Sequence, residues 1–351
     1  MSSQNPPEFY VPTEIYSPER PRGVYHPRPK PRYWLHGLLF LLTVLTTLIV
    51  GSRLQWNYLH RLPSFSADDD VFPSLRWAFQ GRNLLLGVPF SLTLMLILLA
   101  HEMGHYLYCL RYRVAATPPF FVPFPTLFGT MGAFIRIRSP LPSRAVLFDI
   151  GIAGPIAGFA IAFPILLFSL GLSHVAPSQS APPGIEFGYP LVFSLVQHLL
   201  AASKSSSAVS LVPMSHLYLH PVAVAAWVGM FATALNLLPG GQLDGGHIIF
   251  AISPRAHRTI SNLTILALIP MAVYFWAGWL IWAVLLRISG TRHPEVPRYP
   301  EVRGRRRWLA AFALLILILT FTPAPVSTRT DDGRKAHGSL IDALQELRHS
   351  R

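Results

Sequence analysis

The chain has 351 residues, 51% of them hydrophobic and only 13% charged, against about a quarter charged in an average soluble domain. Apolar runs recur along its whole length, which excludes an ordinary soluble globular protein and points to a polytopic membrane protein. The net charge of +13 does not argue for a nucleic-acid partner, because the basic residues gather in the first 33 positions and in 287–307, flanking apolar runs as topology signals do.

In chain order, residues 1–33 are polar, basic and proline-rich, and are expected to form a disordered cytoplasmic tail. No early apolar core or cleavage site suggests a signal peptide. The single cysteine, Cys109, excludes an intrachain disulfide. A membrane domain is expected over 34–323. Its first span lies at 36–52, and an outside loop with the acidic "ADDD" of 67–70 follows. The second span, 84–110, travels inward and ends on Arg111 and Arg113. Residues 114–144 carry several prolines together with Gly129 and Gly132, which break any helix. "GAFIRIRS" then alternates in strand fashion. This stretch is expected to be a re-entrant loop or β-hairpin at the membrane, its backbone buried in protein or lining a wet cavity.

The third span is expected at 145–172, where Gly151, Gly154 and Gly158 give a smooth face for close helix packing. An outer loop over 173–218 has an amphipathic stretch near 189–202. A fourth span, 219–238, runs inward to "NLLPGGQLDGGH". The apolar run 260–289 is too long for one comfortable span and is interrupted by Pro270 and Gly278, so a hairpin of two short helices is preferred. A last span at 307–323 leaves a polar tail, 324–351, in which "SLIDALQELRH" has an amphipathic helical pattern. The expected fold class is an all-α polytopic membrane protein with about six to seven transmembrane helices and a hairpin near 114–144.

The stretch "LLAHEMGHYLYCL" carries the chemistry. Glu102 is the lone carboxylate of the second span, and a charge in a span is a functional-site hypothesis. His101 and His105, four residues apart on a helix, share one face and can hold a single metal ion. Glu102 then projects beside the metal, where it can take a proton from water and pass it to a leaving amine. Catalytic zinc usually takes three protein ligands. Asp244 is the candidate third, because it lies at the same end of another inward-running span; the competing reading is an aspartate that caps the next helix. The segment 129–132 is a candidate to receive an unwound substrate, and the "FIRIR" strand to pair with it or to anchor at the surface through Arg136 and Arg138. His247 is a candidate to orient Asp244 by a hydrogen bond. Cys109 reads as an inert buried filler. His216 and His220 read as an interfacial anchor rather than a second metal site.

"HEMGH" in one span and "NLLPGGQLDG" at the end of a later one resemble the motifs of the site-2 protease family of intramembrane zinc metalloproteases. Asn236, Pro239, Asp244 and Gly245 match the distal motif in order and spacing, and "FGTMGAFIRIRSP" and "FDIGIAGPIAGF" look like the family's hairpin and second core helix. The resemblance covers about 84–255. It implies one Zn²⁺ per chain on His101, His105 and Asp244, Glu102 as the base, and Asn236 near the tetrahedral intermediate or the unwound substrate. It further implies substrates that are membrane proteins with a transmembrane segment. A bacterial inner membrane is expected, and the positive-inside rule with the inward runs of the second and fourth spans puts the N-terminus and active site toward the cytoplasm. With an outer loop shorter than a domain of about 50 residues, the chain looks like a minimal form without a peptide-binding or nucleotide-sensing accessory domain. The rival readings are a non-proteolytic membrane metal-binding or transport protein and a catalytically silent scaffold.

Overall fold

Three apolar runs form helices long enough to cross a hydrocarbon core, which needs about 20 residues: α1 (Tyr33–Leu59), α2 (Val88–Arg111) and α3 (Arg144–Leu170). They are seen in a computed structural model that describes residues 32–66, 75–124, 127–176, 184–203, 212–290, 294–329, 335–336 and 338–342. The expected tail up to residue 31, the "ADDD" segment and most of "SLIDALQELRH" lie outside the described residues. The described part is mostly helical, and among its helices these three alone meet the length and composition of a span. The sequence expectation of six to seven spans is finer than this.

The stretch after α2 is the expected hairpin. Strands β1 (Phe120–Pro123) and β2 (Thr130–Phe134) pair antiparallel, Phe120 opposite Phe134 and Phe121 opposite Ala133. Pairing continues beyond them, with the Thr117 N–H on the Arg136 carbonyl at 3.0 Å and the Arg138 N–H on the Ala115 carbonyl at 2.7 Å. The strand read in "GAFIRIRS" therefore begins earlier, at Thr130, because the turn residue Gly129 adopts φ +77°. Helix α1 holds the hairpin from one side. The Thr46 hydroxyl donates to the Gly129 carbonyl at 2.6 Å, and the Phe40 and Phe121 rings meet edge to face.

Helix α3 begins at Ser143, whose hydroxyl accepts from the Val146 N–H, and runs through Pro155 and Pro164. Beyond it, β3 (Gly184–Phe187) pairs with Phe65–Ser66 on one edge and with β4 (Val326–Arg329) on the other, and β4 pairs in turn with Lys335–Ala336. This antiparallel sheet gathers the segments that follow α1, α3 and the last helix. Helix α4 (Leu191–Ala202) is the expected amphipathic stretch. Helix α5 (Pro221–Leu237) is apolar all round because it is buried all round; Trp227, Met230 and Ala234 are fully enclosed, and it packs on α2 and α3. Helix α6 (Asp244–Ile252) follows at once. The 260–289 run resolves into α7 (Pro254–Tyr274) and α8 (Gly278–Ser289), broken over Phe275–Ala277 and packed on each other. Helix α9 (Arg305–Thr320) closes the bundle against α3 and α5.

Candidate metal centre

His101 and His105 lie one turn apart on α2, both buried, with ring centroids 5.0 Å from each other. The glycine stripe of α3 gives them room. A Cβ on Gly158 would lie 3.2 Å from the His101 Cβ and Nδ1, and a Cβ on Gly154 would lie 2.5 Å from the His105 Cδ2 and Cε1. The four-residue step between the glycines mirrors that between the histidines, so the smooth face seen in the sequence is the floor of the site. Gly151, one position before that pair in the stripe, faces His247 on α6 in the same way.

Asp244 arrives from the other side of the chain. Helix α5 ends at Leu237, Gly241 turns the backbone with φ +56°, and α6 starts on Asp244 itself. Gly245 allows the new helix to start hard against the old one, since a Cβ there would lie 2.5 Å from the Leu238 carbonyl oxygen. One carboxylate oxygen, Oδ2, then sits 3.2 Å from His101 Nε2 and 3.3 Å from His105 Nε2.

These donors fit a metal ion. The His105 Nδ1–H donates to the Ile150 carbonyl at 2.7 Å, which turns Nε2 toward Asp244 as a lone pair. A lone pair facing a carboxylate oxygen repels unless a proton or a metal ion lies between them. Bonds of about 2.0–2.1 Å in a tetrahedron put ligand atoms about 3.3–3.4 Å apart, close to the two measured separations. The three ligand atoms lie within 4.8 Å of one another.

Glu102 is buried beside this group and outside it. Its carboxylate lies beside the backbone of Ile135, just past the end of β2. It lines a cavity of about 80 Å³ with His101, Met131, Gly132, Thr233 and Asn236, larger than the roughly 10–15 Å³ that one water needs. The Asn236 amide nitrogen is 3.3 Å from His101 Nε2.

The other residues singled out in the sequence divide. Gly132, at φ +104°, faces open space at the cavity wall, whereas Gly129 is packed on Thr46 and Thr47 of α1. Cys109 is buried among Val114, Val146 and Ile150. His220 caps α5, its Nδ1 accepting from the Val222 N–H, and meets Tyr58 edge to face. Sequence reasoning missed Asp149 on α3, whose carboxylate accepts from Arg306 Nε at 2.8 Å, Arg306 Nη2 at 2.7 Å and the Tyr112 hydroxyl at 2.5 Å. It precedes Ile150, the residue that orients His105. A carboxylate in the third span was the available signal, because such a charge needs a partner. Thr233, one turn before Asn236, and Trp282 of α8 also line the cavity; nothing in the sequence marked Trp282.

A family model described as peptidase family M50 matches residues 89–277. The chain is 30% identical over 317 residues to "Probable zinc metalloprotease EGY1, chloroplastic" of Oryza sativa subsp. japonica, covering 86% of this chain and 52% of that protein. It is 29% identical over 308 residues to the Arabidopsis thaliana protein of the same description, covering 83% and 53%, and 29% identical over 269 residues to "Probable zinc metalloprotease EGY2, chloroplastic" of Arabidopsis thaliana, covering 75% and 45%. The chain thus spans about half the length of the curated relatives it matches. These relatives overturn one expectation. A bacterial inner membrane with a cytoplasmic active site rested on positive charge and family habit; the relatives are plant proteins described as chloroplastic.

Proposed function

The chain belongs to peptidase family M50, the site-2 protease family, and from that premise we propose that it is a zinc-dependent endopeptidase that cuts membrane proteins in or near their transmembrane segments. The observation that carries the reading is the convergence of His101, His105 and Asp244, with Glu102 beside them and not among them. In this reading the three residues hold one zinc ion per chain. When bound, zinc supplies Lewis acidity toward a peptide carbonyl and brings the pKa of water toward about 7.

The chain's own groups do the rest. Glu102 takes the proton of the attacking water and delivers it to the departing amine. Ile150 holds the His105 ring by its Nδ1–H. Asn236, on the cavity wall, donates its amide to the carbonyl oxygen as charge develops there. A helical substrate hides its carbonyls in internal hydrogen bonds and must unwind locally. The open backbone at Gly132 receives it, and the outer edge of β2, in a sheet of two strands among the described residues, offers pairing to an extended segment. The catalytic core is about 84–255. Helices α5 and α9 and the α7–α8 pair, read as one span or as a hairpin of two, complete about six to seven spans with α1, α2 and α3. A chloroplast membrane is the setting suggested by the relatives' descriptions.

The test is reconstitution of the purified chain in nanodiscs with single-span reporter proteins. Cleavage is expected from the wild type, lost on chelation, restored by zinc and absent in Glu102→Gln. Wild-type cleavage by Glu102→Gln would sink the assignment.

A further inference from the structure

Away from the metal centre, a cleft of about 1030 Å³ opens where three helices begin. Arg144 is the first residue of α3, Ser253 and Arg255 mark the start of α7, and Arg307 lies in the first turn of α9; all four line the cleft. Helix N-termini carry partial positive charge and favour anions. Arg298 and Arg303 line it as well, so five arginines line one space against a single carboxylate, Glu301. That carboxylate is already held, by Arg298 Nε at 2.7 Å and Arg303 Nη2 at 2.8 Å. Among the described residues, Arg144, Arg255 and Arg307 have no acidic partner, and the buried Nε of Arg144 has no hydrogen-bond acceptor, although its guanidinium lies over the Phe250 ring. Positive charge of this density on converging helix ends favours an anion.

The surroundings indicate what kind. Arg303 also lines a neighbouring cavity whose other walls include Trp308, Leu309 and Phe312 of α9, and Trp308 is 80% exposed. A cationic cleft that passes into an exposed apolar slope on a membrane helix suits a molecule with an anionic head and an apolar tail. We propose that this cleft binds the headgroup of an anionic phospholipid, with Arg144, Arg255 and Arg307 as its phosphate donors and the acyl chain lying along Trp308 and Phe312. Guanidinium forks suit phosphate oxygens.

The experiment is native mass spectrometry of the full chain released from nanodiscs of equal phosphatidylcholine and phosphatidylglycerol. It reads retained lipid and does not depend on cleavage, so it stands or falls separately from the protease reading. The wild type is expected to retain phosphatidylglycerol in preference. The double variant Arg255→Gln/Arg307→Gln is expected to lose about tenfold or more of that retention, and each single variant an intermediate amount. Arg61→Gln/Arg82→Gln removes the same charge from exposed positions elsewhere and is expected to change nothing. Equal retention by wild type and double variant overturns the proposal, and so does an equal loss in the control variant, which would reduce the effect to net charge. Displacement of the lipid by millimolar inorganic phosphate also overturns it, in favour of a soluble anion.

Discussion

Gly154→Ala is the smallest change that should disable the metal centre. The added Cβ would sit 2.5 Å from both Cδ2 and Cε1 of His105 and nearer still to Nε2. Ordinary carbon–carbon contact is about 3.5–4.0 Å, so the ring must withdraw by about 1 Å. It has little freedom to do so, because Nδ1 is tied to the Ile150 carbonyl at 2.7 Å. Catalytic groups tolerate about 0.5 Å of displacement, and a misplacement of about 1 Å costs about a hundredfold in rate. Gly158→Ala makes a graded partner, since its Cβ meets His101 at 3.2 Å and a shift of a few tenths of an ångström relieves it; a loss under about tenfold is expected. Gly37→Ala on α1 meets nothing within 4 Å and serves as the control. Zinc per purified chain and cleavage of a single-span reporter should fall in the order Gly37→Ala, Gly158→Ala, Gly154→Ala. Full zinc and wild-type cleavage in Gly154→Ala would refute the claim that the glycine stripe seats the histidines.

Arg306→Ala should lower the thermal midpoint by the equivalent of about 2 kcal/mol, because it strips two charged hydrogen bonds from the mostly buried Asp149; Arg306→Lys should recover only part, lacking the fork, and an unchanged midpoint in both would count against the clamp. Gly129→Ala should destabilise the hairpin by about 1–3 kcal/mol, since the residue has φ +77° and a Cβ would lie 2.7 Å from the Thr46 carbonyl oxygen; hydrogen exchange over 120–134 should speed up, and unchanged protection would refute the contact. Removing zinc leaves a carboxylate facing two imidazoles, so chelated protein should melt lower and recover when zinc is returned; identical melting curves would deny the site a metal.

The local parts of the site were legible in the sequence. Helical period alone puts His101 and His105 on one face, and Pro239 with Gly240 and Gly241 foretells the turn that delivers Asp244. The glycine stripe was visible as a packing face, but its partner was not, because periodicity says nothing about which helix will lie across it. The hairpin was foreseen from alternation, but its second strand runs Thr130–Phe134 instead of starting at Gly132 and continuing through "FIRIRS". What stayed hidden is long-range. Arg306 reaches Asp149 across 157 positions, and Ile150 holds His105 by a backbone carbonyl that any residue carries. The sheet of Phe65–Ser66, β3 and β4 uses strands of two to four residues drawn from three distant loops, too short to leave a periodic trace. The membrane was misassigned because charge asymmetry gives orientation and does not distinguish one membrane from another.

The central claim is that three side chains hold the metal while Glu102 works beside it. Zinc counted per chain in purified wild type, Glu102→Gln and Asp244→Asn tests this most directly. Glu102→Gln should hold as much zinc as wild type, since Glu102 stands outside the ligand group, and Asp244→Asn should lose most of it. Zinc lost from Glu102→Gln, or retained in full by Asp244→Asn, would contradict the claim.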